Sequence, residues 1–515
     1  MKSAVKLKIP FPRYPSVACW CFIFSGAASI SYQMIWLRQA MTHFGVITPV
    51  ISSVLSVFML GLAIGTVVFA KFTQRINNQQ TLGFYILAEG LIALFALLVP
   101  VFFEEGYKAL LGVQYSDSTN YLFFSWLIIT LALLPVCTLI GATLPLIMKF
   151  IRGATQDKNN FGLLYFANLA GGILGCLLPL FSIELYGFNK TLWFTAGSNV
   201  VAAVLALSMY LHYAKFGAIQ FISPDSALVL PQLTLQHKLT LFLTGLVALG
   251  SEVIWIKLFM PATGNSVYAF AAILTVYLLC NFLGAFIYLS RSSHKHWIRW
   301  MTVLLPLATL VPFLAVAVQP KEILTALGIA PLCFLLGYIT PYIIDTACKN
   351  HPLQTGYAYF YNLLGCIVGP LITTYILFPA FGLKGTLIIY AAIIACVPFL
   401  LGGVGGWRKP VAAVMWCVAL CASFMVKGPE ERISQNGELY RDYTGYIGAV
   451  GKGMKKRLIV NGISMTRLTT ITKNMAHLPM QYFPEAKSAL VICFGMGTTV
   501  RSLVTWPLER IAVVE

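Results

Sequence analysis

The sequence is short of charge. Of its 515 residues only 10% are Asp, Glu, Lys or Arg and 58% are hydrophobic, against roughly 25% and 45–50% in an average soluble domain. A water-soluble fold needs a polar face on every surface helix, and here whole stretches of about 20 residues carry no charge at all. That absence excludes an ordinary globular protein and makes lipid the solvent of those stretches. Acids are scarcest: 17 Asp and Glu stand against 35 Lys and Arg, a net charge of +18. In a soluble chain such an excess points to nucleic acid. In a membrane chain basic residues collect in the short loops of the cytoplasmic face, so the excess reads as topology and no nucleic acid is expected.

Cysteine chemistry is also missing. The 12 cysteines include no CxxC pair and no Cys/His cluster at zinc spacing. Cys137, Cys176, Cys280, Cys333, Cys366 and Cys396 lie inside apolar runs and read as small packing residues, and no metal is expected. No small-residue cleavage site follows the basic opening Lys2, Lys6, Lys8 and Arg13, so the first apolar segment is expected to stay as an anchor.

What is present is a long series of segments of spanning length. They fall near 17–37, 48–72, 82–103, 120–149, 161–185 and 191–213, and again near 239–258, 265–290, 297–318, 323–344, 356–378 and 386–404. A further run at 411–426 is shorter than the roughly 20 residues that cross a bilayer comfortably, and whether it spans is left open. The domains expected are a first six-helix repeat (1–213), a loop (214–237), a second six-helix repeat with the short run (238–426), and a polar C-terminal segment (427–515).

The two halves repeat in sequence. Ser25-Gly26 through Ile35-Trp36-Leu37-Arg38 aligns with Thr244-Gly245 through Ile254-Trp255-Ile256-Lys257, and the same offset carries Gly45 onto Gly264 and Gly65 onto Gly284. Gly141 and Pro145 match Gly337 and Pro341, while Asn168, Gly171 and Gly175 match Asn362, Gly365 and Gly369. Small residues recurring this way mark places where helices touch. Six crossings per copy make the repeat parallel, an arrangement that resembles the major facilitator transporters. Lys71 and Arg75, Lys149 and Arg152, Lys215 and Lys238, Arg291 and Lys295, and Arg408 and Lys409 fall in alternate loops. They place the N-terminus in the cytoplasm, in a multi-pass protein of the inner (plasma) membrane. With twelve crossings the C-terminal segment is expected on that same side.

Ionisable residues at lipid depth are costly and line cavities. Glu252, its repeat-mate Gln33, the pair Asn168 and Asn362, and Glu89 are the candidates for a substrate pathway. Arg38, Lys257 and Asp345 are the other notable polar groups of the apolar half. Trp36 and Trp255, near helix ends, read as interfacial anchors.

From residue 427 the composition turns ordinary. Asn461-Gly462 signals a hairpin turn, and Ser488-Ala489-Leu490-Val491-Ile492-Cys493-Phe494 reads as a buried strand. Gly495 and Gly497, a short helix from Thr498, and a second strand ending at Glu515 follow. A strand, a glycine turn, a helix and an acid about 20 residues on is the order that binds an adenosine moiety. The runs Leu458-Ile459-Val460-Asn461-Gly462, Met475-Ala476-His477-Leu478-Pro479 and Ala489 to Thr499 resemble consecutive signatures of the spermidine synthase (polyamine aminopropyltransferase) family, in the bacterial form fused to a transporter-like membrane region. The resemblance implies a partial α/β Rossmann-like domain of spermidine-synthase type, decarboxylated S-adenosylmethionine or a related adenosyl compound as cofactor, and a polyamine as the small-molecule substrate. Gly495, Gly497, Thr498, Glu515 and His477 are the cofactor residues it implies, and no catalytic residue is assigned. The expectation is therefore an α-helical polytopic membrane protein with a spermidine-synthase-like transferase activity. The alternative is a small-molecule transporter with a regulatory or vestigial C-terminal domain.

Overall fold

The computed structural model describes residues 14–112, 118–154, 160–216, 233–263, 266–291, 304, 308, 311, 322–349, 351–401 and 408–514. In lipid each backbone N–H and C=O must find its partner within the protein, which leaves the helix as the local solution for these apolar runs. The helices are α1 (Tyr14–Phe44), α2 (Thr48–Phe72), α3 (Asn78–Leu111), α4 (Ser118–Ala154), α5 (Asn160–Phe216), α6 (Leu235–Thr263), α7 (Ser266–Ser290), α8 (Glu322–Cys348), α9 (Pro352–Ile372), α10 (Phe378–Leu400) and α11 (Arg408–Met425). Among the described residues ten helices are long and apolar enough to cross a membrane. The segment expected near 297–318 lies largely outside the described residues.

Two of the spans are long enough to cross twice, and each is broken by a glycine. In α5 the break is Gly187, with φ 77° and ψ 175°, so the segments expected near 161–185 and 191–213 run on either side of it. In the second half a π-helical turn, Thr373–Leu377, leads into α10, and Gly382 at φ 70° makes the corresponding break. Only glycine holds a positive φ of this kind without strain.

The repeat is written in contacts as well as in sequence. A Cβ on Gly26 would meet Asn168, and one on Gly245 would meet its repeat-mate Asn362. Gly171 and Gly175 press on the backbone at Ile23 and Ala27, just as Gly365 and Gly369 press on Phe242 and Leu246. Gly65 meets Thr138 and Ala142, and Gly284 meets Phe334 and Tyr338. Gly141 faces Leu62 as Gly337 faces Asn281. Every one of these neighbours is the repeat partner of the other. In each half, therefore, the first helix is fastened to the fifth and the second to the fourth by backbone laid on backbone. Between the halves, α2 packs on α9 and α5 on α7.

Trp36 and Trp255, expected as interfacial anchors, are instead fully enclosed, at 0% and 1% exposure. Trp36 stacks on Tyr32 with ring centroids 4.9 Å apart. Their position near a helix end was legible; the packing of neighbouring helices over that end was not. Of the six cysteines read as packing residues, five are buried and Cys396 is exposed.

The C-terminal segment begins with α12 (Pro429–Asn436), followed by an antiparallel meander β1 (Gly437–Arg441), β2 (Tyr446–Val450), β3 (Arg457–Val460) and β4 (Ile463–Arg467). Asn461 and Gly462, both at positive φ, make the expected turn between β3 and β4. Helix α13 (Thr470–Tyr482) then leads to a two-stranded parallel pair, β5 (Ser488–Ile492) and β6 (Arg510–Val514), joined through the short α14 (Thr498–Leu503). One crossover and two strands do not make a Rossmann sheet, and that expectation is corrected. The small core of this unit is Ala476, Met480, Val491 and Leu503.

This segment sits at the end of the bundle opposite Tyr14. Helix α1, 31 residues long and so about 46 Å, carries the chain from Tyr14 to the far end. There Thr48 Oγ1 donates to the Thr444 carbonyl at 2.7 Å. Helix α11 completes the crossing that puts the segment there. Its last turn accepts a hydrogen bond from Lys384 Nζ at the Phe424 carbonyl, and its 18 residues span about 27 Å. The run left open in the sequence thus falls in α11, and the C-terminal segment lies at the end of the bundle away from Tyr14.

Two expected outcomes check the packing and the sidedness. Gly65→Ala forces a Cβ into the α4 backbone and lowers unfolding stability in detergent by about 1–3 kcal/mol. Gly90→Ala, with nothing within 4 Å, is neutral or slightly stabilising. Cysteines introduced at Gln74 and at Tyr440 react with an impermeant maleimide from opposite faces of a sealed membrane; labelling from one face would refute the crossing by α11.

Candidate functional site

The interior of the first half holds one polar knot. Glu89 on α3 is fully buried, and its Oε2 accepts a hydrogen bond from Asn199 Nδ2 at 2.6 Å. Asn199 in turn accepts from the Tyr32 hydroxyl at 2.8 Å through Oδ1. The second carboxylate oxygen, Oε1, has no hydrogen-bond partner among the described residues. Helices α1, α3 and the second arm of α5 are thus joined at lipid depth by a carboxylate, an amide and a phenol.

Glu252 is different. It lies on α6, 1% exposed, and its Oε1 has no partner among the described residues. Lys257, one turn and a half along the same helix, does not neutralise it. That ammonium group donates to the Thr444 carbonyl at 3.3 Å and stands 4.4 Å from the centre of the Phe378 ring. The surroundings of Glu252 are drawn from both halves: Cys176 on α5, Tyr277 on α7, Cys333 on α8 and Cys366 on α9 lie within electrostatic range of its carboxylate. Tyr277, Tyr165 and Tyr359 are partly buried. The carboxylate therefore looks onto thiols and phenols, with no cation beside it among the described residues.

The other expected pathway residues fall elsewhere. Gln33 is buried on α1 at the position equivalent to Glu252. Asn168 and Asn362 belong to the glycine seams: Asn362 donates to the Leu241 carbonyl at 3.1 Å and to Thr244 Oγ1 at 3.3 Å. They hold helices of one half together, where Glu252 faces groups from both.

Sequence reasoning missed the groups that tie the halves to each other. Asp345, at the end of α8, accepts from the N–H groups of Phe161 at 3.2 Å and Gly162 at 2.9 Å, and from the Tyr288 hydroxyl at 3.1 Å. A carboxylate there satisfies orphan donors at the start of α5 and complements its dipole. At the opposite end Ser52 bonds Thr374, and Ser56 Oγ donates to the Ile367 carbonyl at 2.9 Å. Apart from the Tyr288 bond within the second half, these are contacts between segments more than 180 residues apart, and nothing in local spacing announces them. One signal was available for Asp345: an acid at lipid depth.

At the C-terminal end Gly495 and Gly497 have positive φ, 54° and 69°, and Gly497 caps α14. The space a ligand would need against Gly497 is taken by the chain itself, since a Cβ there would lie 2.7 Å from the Phe494 ring. Thr498 is buried with its hydroxyl unpartnered among the described residues. His477 Nδ1 accepts from Trp506 Nε1 at 3.0 Å, a packing bond between α13 and the crossover. Glu515 lies outside the described residues.

No protein-family model matches the chain, and no curated protein is significantly similar to it. Solved structures are similar in fold. A bacterial homologue of the iron transporter ferroportin, in an outward-facing state, aligns at TM-score 0.50 and 10% identity, over 80% of this chain and 99% of that one. The same homologue with soaked iron aligns at 0.51 and 8%, over 80% and 98%. The fold is major-facilitator-like. The E. coli fucose:proton symporter FucP also aligns, at the lower TM-score of 0.46 and 13% identity, over 80% and 99%. This likeness overturns the resemblance to spermidine synthases: it is to transporters, it covers most of the chain, and the C-terminal residues supply only a few strands. The aminopropyltransferase reading is withdrawn with it, and the polyamine and adenosyl expectations lose their foundation.

The Glu89 knot gives a test of its own. Asn199→Leu strips the carboxylate of its donor and costs about 1–3 kcal/mol of stability. Adding Glu89→Leu in the same chain recovers part of that loss, because the orphaned carboxylate is gone while the buried Tyr32 hydroxyl still lacks its acceptor. Equal losses in the single and double variants, measured by unfolding in detergent, would show that Asn199 does not hold Glu89.

Proposed function

We propose that this protein is a transporter of the major-facilitator kind. It moves a small solute across the membrane through the seam between its two repeats, with Glu252 as the group whose charge is exchanged. The observation that carries this reading is the Glu252 oxygen left without donor or cation among the described residues. An ionised carboxylate so placed is too costly to leave bare. It holds a proton at rest, or a cationic solute takes the proton's place, and exchange of one for the other couples transport to a proton gradient. The packing supports it: glycine seams make each half a stiff body, and the halves meet through a few separable hydrogen bonds at Asp345, Ser52 and Ser56. Rocking of one repeat against the other about a fixed central site is how such parallel repeats work.

The ferroportin homologue is named for iron. Iron is not proposed here, because no group of three His, Cys, Asp or Glu able to hold a metal stands together among the described residues. The Lys and Arg of alternate loops support a cytoplasmic N-terminus in the cell membrane, with the C-terminal segment on the outer face.

Protein reconstituted in liposomes with an entrapped pH dye, challenged with a panel of small amines, carboxylates and sugars, tests the reading. At least one solute is expected to change the internal pH, and Glu252→Gln to abolish that change while remaining folded. A solute that still drives proton flux in Glu252→Gln would remove this residue from the mechanism.

A further inference from the structure

The C-terminal segment is bolted to one half of the transporter and reaches across to the other. The bolts are at the start of α10. Glu430 Oε2 accepts from the Leu383 N–H at 2.7 Å, and Lys384 pairs with Glu431 at 3.0 Å. Arg441 binds Glu430 at 3.2 Å while donating to the Pro379 carbonyl at 3.0 Å and the Ala380 carbonyl at 3.3 Å. Gly382 is needed at this point, since a Cβ would collide with both Arg441 and Glu430. Gly462 of the β3–β4 turn lies against Pro261 at the end of α6. All of these partners belong to the second half.

The reach is made by the turn between β1 and β2. Asp442 Oδ1 accepts from the Thr444 N–H at 2.8 Å and the Gly445 N–H at 3.0 Å, which folds the turn and aims the Thr444 carbonyl outward. That one oxygen receives Thr48 Oγ1 of the first half at 2.7 Å and Lys257 Nζ of the second at 3.3 Å. Around it Ile47, Thr48 and Ile51 of the first half and Val253, Ile256, Lys257 of the second close down on a cavity of about 30 Å³, room for about one water. The seam is thus bridged on this face by a group that belongs to neither repeat, outside the direct links of Ser52 and Ser56.

We propose that the C-terminal segment is a built-in lid for this face of the transporter. The lid rides on the second half, and the face opens when Thr48 leaves the Thr444 carbonyl while the Glu430, Glu431 and Arg441 contacts persist. The inference rests on the transporter reading for its purpose, and its test does not: it reads the opening of the seam, with no substrate needed. Ile51→Cys, buried and lining the closed cavity, is labelled with an impermeant maleimide in the full chain with Cys493→Ser. Thr48→Val in that background is expected to raise the labelling rate about two- to tenfold, the shift that losing one hydrogen bond of ordinary net strength produces. The melting temperature is expected to stay unchanged. Oxidised Thr48→Cys/Thr444→Cys is expected to suppress labelling, with recovery on reduction. Unchanged labelling in Thr48→Val overturns the lid, as does labelling that persists in the fully cross-linked pair. If labelling responds in this way while no solute of the panel changes the internal pH, the lid stands and the transport reading falls.

Discussion

The whole arrangement depends on the close approach of backbones at repeated glycines. In lipid there is no hydrophobic drive to press one apolar helix on another, so association rests on packing and on what polar groups can reach. Gly26, Gly171 and Gly175 bring α1 onto α5; Gly61, Gly65 and Gly141 bring α2 onto α4. The second half repeats both seams with Gly245, Gly365 and Gly369, and with Gly284 and Gly337. Close-packed bodies of this sort do not deform continuously. The boundary between the halves is linked instead by hydrogen bonds that side chains make, at Asp345, Ser52 and Ser56.

That boundary is fastened differently at its two ends. Near the N-terminal face Asp345 of the second half caps α5 of the first, a carboxylate binding backbone amides. At the far face the direct links are hydroxyls, Ser52 to Thr374 and Ser56 to a carbonyl, and the turn at Asp442 to Gly445 adds a third party. Asp442 stands outside the lipid. Burial alone pushes its carboxyl up, and the hydrogen bonds from Thr444 and Gly445 with the charge of Lys257 outweigh that and leave it below its ordinary value. A lowered carboxylate stabilises above its unfolded pKa and ceases to do so as pH falls through the folded one. The turn is accordingly intact at neutral pH and loosens only in strong acid.

Much of this could be read from the sequence, and the reasons differ by feature. The spans, the parallel repeat and the glycines that mark helix contacts were legible because hydropathy and small-residue spacing act locally. The α11 crossing was left open because 411–426 counts short on hydropathy, while the helix starts at Arg408. Glu252 and Glu89 were legible as acids at lipid depth, but their partners were not: Asn199 lies 110 residues from Glu89. The spermidine-synthase resemblance came from short runs whose glycines have another use here, positive φ and contact with Phe494. A motif of that kind is confirmed only by its sheet, and the sheet is two strands.

The repeat shows which features are architectural and which are not. Where both halves keep a residue, as with Gly26 and Gly245 or Asn168 and Asn362, the contact it makes is the same in both and concerns packing. Where they differ, chemistry appears. Glu252 replaces Gln33, and the run near 297–318 that corresponds to the helix of Glu89 carries no Asp or Glu. Lys257 replaces Arg38 and is held by the C-terminal turn. An amide at the position of Glu252 would make the seam symmetric and uncharged, able to rock but with no charge to exchange. On the transport reading proposed above Glu252 supplies that charge, and the proposed lid is fastened to the same second half.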